Sequence, residues 1–240
     1  MANIFNFLIS TPLYNGFILL IKNLPFFDAG VIIIIFTIVV KVIMLPLSLK
    51  ASRSQLEMKS TEKDLALIKE QYKDNKEEHS RKTMEYYKEK GINPFSGFLV
   101  LLIQLPILIG LYRVFIKSGL PVINTALLYR FVMAPTSVNM LFLNLINISQ
   151  KSLILAIVAG ITTYFQVSLA SGAQSQGTGT QGDVAKMMQV QMKYFFPILM
   201  TFIAYSISSA VVLYLITSNL FAIGQEIYIK KKYHKTTLVV

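Results

Sequence analysis

The sequence contains no cysteine and few charged residues, and both deficits restrict the kinds of site and the class of protein that are possible. Without cysteine, disulfides, thiolate catalysis, thiolate metal sites and lipid attachment through cysteine are excluded. Charged residues make up 15% of the chain, whereas 54% of its 240 residues are hydrophobic and are gathered into long blocks. With a mean hydropathy of +0.56, this composition is too apolar for an ordinary soluble domain and predicts a multi-pass membrane protein.

Residues suited to covalent or metal chemistry are also scarce. The two histidines, His79 and His234, lie in polar segments without the spacing of metal ligands. No glycine-rich phosphate loop occurs, and no pair of carboxylates lies in an apolar block. We therefore predict no catalytic residue, no metal and no cofactor, and we do not expect an enzyme. The net charge of +11 follows membrane topology rather than one basic patch, so DNA is not an expected partner.

The apolar blocks predict an all-α membrane protein with five transmembrane helices. In residues 1–28 the apolar stretch is too short to span, which indicates an amphipathic helix in the extracytosolic membrane interface. Residues 50–93 switch to polar sequence with a helical period, which predicts a cytosolic helical hairpin that turns at residues 73–76. The other predicted boundaries are span 1 at 29–49, span 2 at 94–116, an extracytosolic connection at 117–151, span 3 at 152–170, a cytosolic loop at 171–193, span 4 at 194–209, span 5 at 210–229 and a cytosolic basic tail at 230–240.

The last two spans are expected to be short. Residues 194–229 leave room for two helices of about 17 residues, each about 26 Å long at 1.5 Å per residue. The hydrocarbon core of a bilayer is about 30 Å thick. We therefore predict that this pair of helices thins the bilayer locally.

The distribution of basic residues predicts the orientation in the membrane. If the hairpin, the loop at 171–193 and the tail are cytosolic, they hold 17 Lys and Arg residues, against five outside when Arg113 at the outer end of span 2 is included. Because Lys and Arg accumulate in cytosolic loops, the amino terminus is expected outside and the carboxyl terminus inside.

Lys41 is the most informative residue, because it is the only basic residue in the first span. Placing a lysine near the centre of a membrane helix costs about 2.5 to 3.5 kcal/mol, which the surrounding apolar residues offset. Charges tolerated at that depth usually face a bundle interior or a water-filled cavity. In the alternatives, the Lys41 side chain extends to the lipid headgroups or pairs with a carboxylate. Pairing is disfavoured, because Glu226 is the only acidic residue in a predicted span and lies near its inner end.

Polar residues of other spans can join Lys41 in one groove. Thr37 lies one turn before Lys41 on the same face of the helix. An ordinary interhelical hydrogen bond accounts better than a groove for each of Gln104, Gln166 and Asn219 taken alone. Together they predict a groove, open to the cytosol, that receives the polar or acidic segment of a polypeptide while its apolar part enters lipid. The predicted groove residues are Lys41, Thr37, Gln104, Gln166 and Asn219, with Tyr214 at the lipid-side wall.

Three longer segments carry a combination of motifs. They are TIVVKVIMLPLSLKASRSQLEMK at 37–59, GINPFSGFLVLLIQLPILIGLY at 91–112 and VLYLITSNLFAIGQEIYIKKK at 212–232. Their order, their spacing and the hairpin between the first two resemble the YidC family of membrane protein insertases and its mitochondrial and chloroplast relatives. The resemblance extends over roughly residues 10–232.

The resemblance implies a five-helix core whose hydrophilic groove is open to the cytosol and lipid and closed towards the outside. It also implies an insertase or chaperone for newly made membrane proteins, with membrane lipids, the ribosome and the Sec translocon as partners. Family members usually carry Arg where this sequence has Lys41, and Lys keeps the charge but loses the bidentate fork. The brevity of the chain and the lack of a transit peptide favour a bacterial plasma membrane.

Two other functions remain open at this point. A small secondary transporter or channel would use Lys41 as an ion or proton site. Repeated halves and membrane carboxylates, which are common in such proteins, are not visible in the sequence. A chaperone that only shelters helices during assembly would not need Lys41.

Overall fold

The computed structural model describes residues 5–93, 106–117, 122–170 and 191–234. The start of the predicted second span, with Gln104, and most of the predicted loop at 171–193 lie outside the described residues. The helices are α1 (Thr11–Asn23), α2 (Ala29–Ser60), α3 (Glu62–Gln71), α4 (Lys76–Glu89), α5 (Pro106–Phe115), α6 (Leu153–Ala170), α7 (Phe196–Ser206) and α8 (Ser209–His234). One-turn π-helices at Asn6–Ser10 and Gln191–Phe195 precede α1 and α7, a third at Arg113–Lys117 overlaps the end of α5, and a 3-10 turn spans Thr125–Leu127. Strands β1 (Leu141–Phe142) and β2 (Ile146–Asn147) form a short antiparallel hairpin.

Three of these helices are long and apolar enough to cross a membrane. They are Ala29–Ser54 within α2, Leu153–Ala170, and Ser209–Lys232 within α8, with mean hydropathies of 2.8, 1.9 and 1.4. A helix satisfies its backbone hydrogen bonds within itself, which is why an apolar run of this length is helical in lipid. The expectation of an all-α, multi-pass membrane protein is confirmed at this level.

The hydrophobic core lies at the amino-terminal end of α2. One face of α1 is buried there, and the Phe17 ring packs edge-on against Phe36 at 5.7 Å and against Phe115 of α5 at 5.2 Å between centroids. Ile32 and Ile33 of α2 are buried beside them. Since α1 contributes a full face to this core, it is fixed to α2 and α5; its position in the membrane interface stays a prediction.

Helices α3 and α4 lie side by side and are joined by a short turn. The Asn75 side chain accepts a hydrogen bond from Glu78 N at 3.1 Å, so α4 begins at Lys76, which the sequence placed in the turn. The Tyr86 hydroxyl donates to the Asp64 carboxylate across the pair. This hydrogen bond raises the pKa of Tyr86 to about 12, because it stabilises the protonated phenol.

The last two helices differ in length, and the prediction of about 17 residues for each does not hold for α8. Helix α7 has 11 residues and α8 has 26. Helix α7 ends before Ile207, whose backbone is extended. Ser209, the first residue of α8, then donates hydrogen bonds from its N–H and its hydroxyl to the Gln150 carbonyl. At the other end Lys230 pairs with Glu226 one turn earlier and donates to the Leu169 carbonyl of α6. These contacts extend α8 beyond the apolar segment.

Candidate functional site: a polar seam along the last helix

Helix α8 packs against both α2 and α6, and the contacts change character along its length. Its first residues, Ala210 to Tyr214, are buried in the hydrophobic core. From Thr217 onwards, polar side chains face the two neighbouring helices. We call this set of contacts the polar seam; it consists of Thr162 and Thr163 on α6, Ser48 and Ser52 on α2, and Asn219 and Gln225 on α8.

The contact between α6 and α8 is a buried hydrogen-bond cluster. The Asn219 side-chain amide donates to Thr163 Oγ1 at 2.9 Å and to Thr162 Oγ1 at 3.3 Å. Both threonine hydroxyls in turn donate to the Ala159 carbonyl. Because the amide nitrogen and both threonine hydroxyls have hydrogen-bond partners, the desolvation penalty of placing the Asn219 side chain inside the apolar bundle is reduced.

The contact between α2 and α8 is a bridge through Gln225. Ser48 Oγ donates to Gln225 Oε1 at 2.8 Å, and Gln225 Nε2 donates to Ser52 Oγ at 3.3 Å. Sequence reasoning did not select Gln225 or Ser52. The available signal was the spacing of Ser48 and Ser52, which puts both on one helical face four residues apart.

Lys41 lies on the stripe of α2 that faces α8. Thr37, four residues before it, is fully buried and donates to the Ile33 carbonyl at 2.6 Å, and Ser48, seven residues after it, contacts α8. Lys41 is half-buried, whereas the following Val42 and Ile43 are exposed on the other side of the helix. A lysine between two inward-facing positions of the same stripe is expected to face the bundle rather than lipid, and this direction stays a prediction.

The remaining predicted groove residues have different positions. Gln166 is half-buried on α6, three residues after Thr163 and therefore on the face that meets α8. Gln104 lies outside the described residues. Tyr214 is completely buried in the hydrophobic core, so it does not form an open lipid-side wall as predicted. The reason is that Tyr214 belongs to the first turns of α8, where apolar neighbours surround the helix.

Among the described residues, cavities lie at the core end of the bundle. One of about 280 Å³ is lined by Phe17, Phe115 and Ser208 among others, and one of about 240 Å³ lies between Lys22 and Asn139. Lys41 lines neither of them. The groove around Lys41 therefore stays a prediction. Among the described residues, no three His, Asp or Glu side chains are grouped as a metal site would require.

Replacing Gln225 by leucine is expected to loosen the packing of α2 on α8. The change removes both hydrogen bonds of the bridge, and one such bond in a membrane protein contributes about 0.6 kcal/mol on average and about 1.7 kcal/mol at most. We expect a loss in this range from the free energy of unfolding in detergent. Leu220→Ala, which changes an exposed residue of the same helix, is the control and should have a smaller effect on the free energy of unfolding. A zero coupling energy between Gln225→Leu and Ser48→Ala would contradict the bridge.

Comparison with known proteins gives the context of this arrangement. The family model described as 60Kd inner membrane protein matches residues 21–236. A membrane protein insertase YidC of Fusobacterium nucleatum is 34% identical over 203 residues, covering 85% of this chain and 86% of that protein. The insertase YidC of Clostridium tetani is 32% identical over 217 residues, covering 90% and 88%. That of Francisella tularensis subsp. novicida is 31% identical over 207 residues, covering 86% of this chain and 33% of that protein. These matches confirm the resemblance of the sequence motifs, and the chain belongs to the 60Kd inner membrane protein family.

Proposed function

We propose that this protein inserts newly synthesised membrane proteins into the lipid bilayer. The observation that carries the proposal is the contrast between the two ends of one bundle. At the amino-terminal end of α2, aromatic and aliphatic side chains pack into a core, and towards its other end Lys41 and the polar seam line the helices. A site that is polar on one side and closed on the other suits a polypeptide that enters and then leaves sideways into lipid.

Lys41 supplies the attraction in this mechanism. An ammonium group partly shielded from water interacts more strongly with an acidic residue than the same pair in bulk water. The polar segment of a substrate moves into the groove towards Lys41, with Thr37, Gln166 and Asn219 as polar neighbours and Gln104 on the second span. The apolar segment of the substrate enters lipid, and no covalent bond forms or breaks.

The short seventh helix supports a second contribution. The helical stretch from Gln191 to Ser206 is about 24 Å long at 1.5 Å per residue, which is less than the roughly 30 Å of a hydrocarbon core. A bilayer that adapts to this helix becomes thinner beside the groove. A thinner bilayer lowers the cost of moving the polar part of a substrate across it.

The proposed topology follows the basic residues. Three spans are α2, α6 and α8, and the segments around 94–116 and 194–209 are the other two. The helical hairpin of α3 and α4 and the basic tail then lie in the cytosol of a bacterium, with the amino terminus outside the plasma membrane. Nascent membrane proteins and membrane lipids are the direct partners, and the ribosome and Sec translocon are candidates to deliver substrates.

The test is reconstitution of the purified protein in otherwise protein-free liposomes. The substrate is a single-span protein with an acidic tail that must cross the bilayer, and a protease added outside reports which tails are protected. We expect protection to rise with the amount of protein. A substrate with a neutral tail of the same length is the matched control and should gain less. Flux of small solutes without insertion would instead indicate a transporter or channel.

A further inference from the structure

The hairpin between β1 and β2 presents leucine side chains at the protein surface. Leu143 is 59% exposed and Leu145 is 82% exposed. Phe26, which precedes the start of α2, is 95% exposed. A cluster of large apolar side chains that the protein itself does not cover marks a surface that meets something apolar. We call Leu141, Leu143 and Leu145 the hairpin tip.

The backbone of this tip adopts a conformation that leucine disfavours. Leu143 and Asn144 have φ of 50° and 59°, and Leu145 N donates to the Phe142 carbonyl at 3.0 Å. Two positive φ angles under such a hydrogen bond define a type I′ turn, for which Asn-Gly is the preferred pair. A leucine in the left-handed region costs about 1 to 2 kcal/mol. Leu143 is therefore not explained by the stability of the turn.

Asp28 fixes the tip at the end of a membrane span. One carboxylate oxygen of Asp28 accepts from Leu143 N at 3.0 Å, and the other accepts from Val31 N in the first turn of α2 at 2.9 Å. The Phe142 ring packs so closely on Gly30 that a Cβ there would lie 2.4 Å from the ring. Since the apolar run of α2 begins at Ala29, the tip is held at the level where the span leaves the hydrocarbon.

The charge content of the segment that contains the hairpin suits a lipid surface. Residues 122–150 contain no acidic residue, and their single charged residue is Arg130, which is exposed beside Phe131. A segment with exposed apolar side chains, one basic residue and no carboxylate matches the phosphate and acyl region of a phospholipid monolayer. This segment is followed closely in the chain by further exposed apolar residues, Leu153 and Ile154, at the start of α6.

We propose that the hairpin tip inserts into the leaflet at the amino-terminal end of α2, with phospholipid acyl chains as its partner. The leucines bury their side chains among the acyl chains, and Arg130 lies near the phosphates. The tip then sets the depth of this end of the bundle in the bilayer. This inference depends on the chain residing in a membrane and not on its insertase activity, so either can fail without the other.

The test uses the absence of tryptophan from the chain. Leu145→Trp places a single fluorophore in the tip, and Met84→Trp places one on the exposed surface of α4 as the control. Each full-length variant is reconstituted in liposomes of ordinary phospholipid or of phospholipid brominated on its acyl chains. We expect a blue-shifted emission and a loss of intensity in brominated lipid for Leu145→Trp, with no loss for Met84→Trp. Equal emission of Leu145→Trp in both lipids, with quenching by aqueous iodide, would overturn the proposal.

A second variant separates lipid contact from folding. Asparagine tolerates the left-handed conformation better than leucine, so Leu143→Asn is expected to leave the unfolding transition unchanged or higher. In the Leu145→Trp background it should nevertheless reduce quenching by brominated lipid, because an apolar side chain is lost from the tip. Unchanged quenching with an unchanged transition would overturn the assignment of Leu143 to the lipid contact.

Discussion

Replacing Lys41 by glutamate is expected to reduce the insertion of substrates with acidic tails more than tenfold. Two unit charges about 4 Å apart interact by about 4 kcal/mol at an effective dielectric constant of about 20. The substitution turns attraction into repulsion, and about 1.4 kcal/mol already corresponds to a factor of ten in rate. Lys41→Ala should lose the attraction without adding repulsion, so its insertion rate should lie between those of the wild type and Lys41→Glu. For both variants, the initial rate at which substrate tails become protected from protease in liposomes measures insertion.

Two further variants distinguish charge at this position from charge elsewhere. Lys41→Arg keeps the positive charge and is expected to retain most of the activity. Lys63→Glu makes the same change of net charge on the exposed surface of α3 and should leave insertion nearly unchanged. If Lys41→Glu and Lys63→Glu insert the substrate at the same rate, Lys41 does not act through its charge. A chaperone role that does not need Lys41 would then be the better account.

Replacing Gly160 by alanine is expected to lower the free energy of unfolding by about 1 to 3 kcal/mol, as overpacking of a close contact does. A Cβ at Gly160 would lie 1.9 Å from Thr201 Oγ1 and 3.3 Å from the Pro197 carbonyl oxygen. The contact joins α6 to α7, and small residues allow membrane helices to approach this closely. Because Thr201 also donates to the Pro197 carbonyl, moving its side chain breaks a hydrogen bond. Denaturant unfolding in detergent micelles measures the change.

The chain provides both a rescue and a matched control for this substitution. Thr201→Ala removes the hydroxyl oxygen that clashes, so the Gly160→Ala/Thr201→Ala double variant should regain part of the lost stability. At Gly224 of α8, an added Cβ meets no atom of the described residues within 4 Å, so Gly224→Ala is expected to be neutral or stabilising. Equal stabilities of Gly160→Ala and Gly224→Ala would show that the α6 and α7 contact is looser than described.

Of the polar seam, Asn219 was selected for the groove from the sequence, but its contacts were not predicted. Lys41 and Thr37 could be placed on one face of the helix from their spacing, because helical periodicity is a local property. Asn219 was selected for its polarity, but its partners Thr162 and Thr163 lie 57 and 56 residues away. Which of several polar residues an amide contacts depends on the rotation and depth of each helix, and neither is encoded in one segment.

Other predictions were limited for the same reason. The bridge of Gln225 to Ser48 joins residues 177 positions apart, and Gln225 by itself resembles any polar residue near the end of an apolar run. Tyr214 was expected at the lipid-side wall of the groove, yet it is enclosed by the core because the first turns of α8 are surrounded by other elements. Near its end, α8 contacts α6 through the hydrogen bond of Lys230 to the Leu169 carbonyl, which joins residues 61 positions apart and could not be predicted from local sequence.

Composition and apolar run length by themselves determined that the chain is a helical membrane protein, since lipid leaves a backbone few other ways to satisfy its hydrogen bonds. The motif order likewise determined its family. The tertiary structure decided which end of the bundle is packed, how α8 is hydrogen-bonded to α2 and α6, and that Leu143 is held in a left-handed turn by Asp28. These features arise from contacts between distant segments, whose geometry depends on packing that local sequence does not specify.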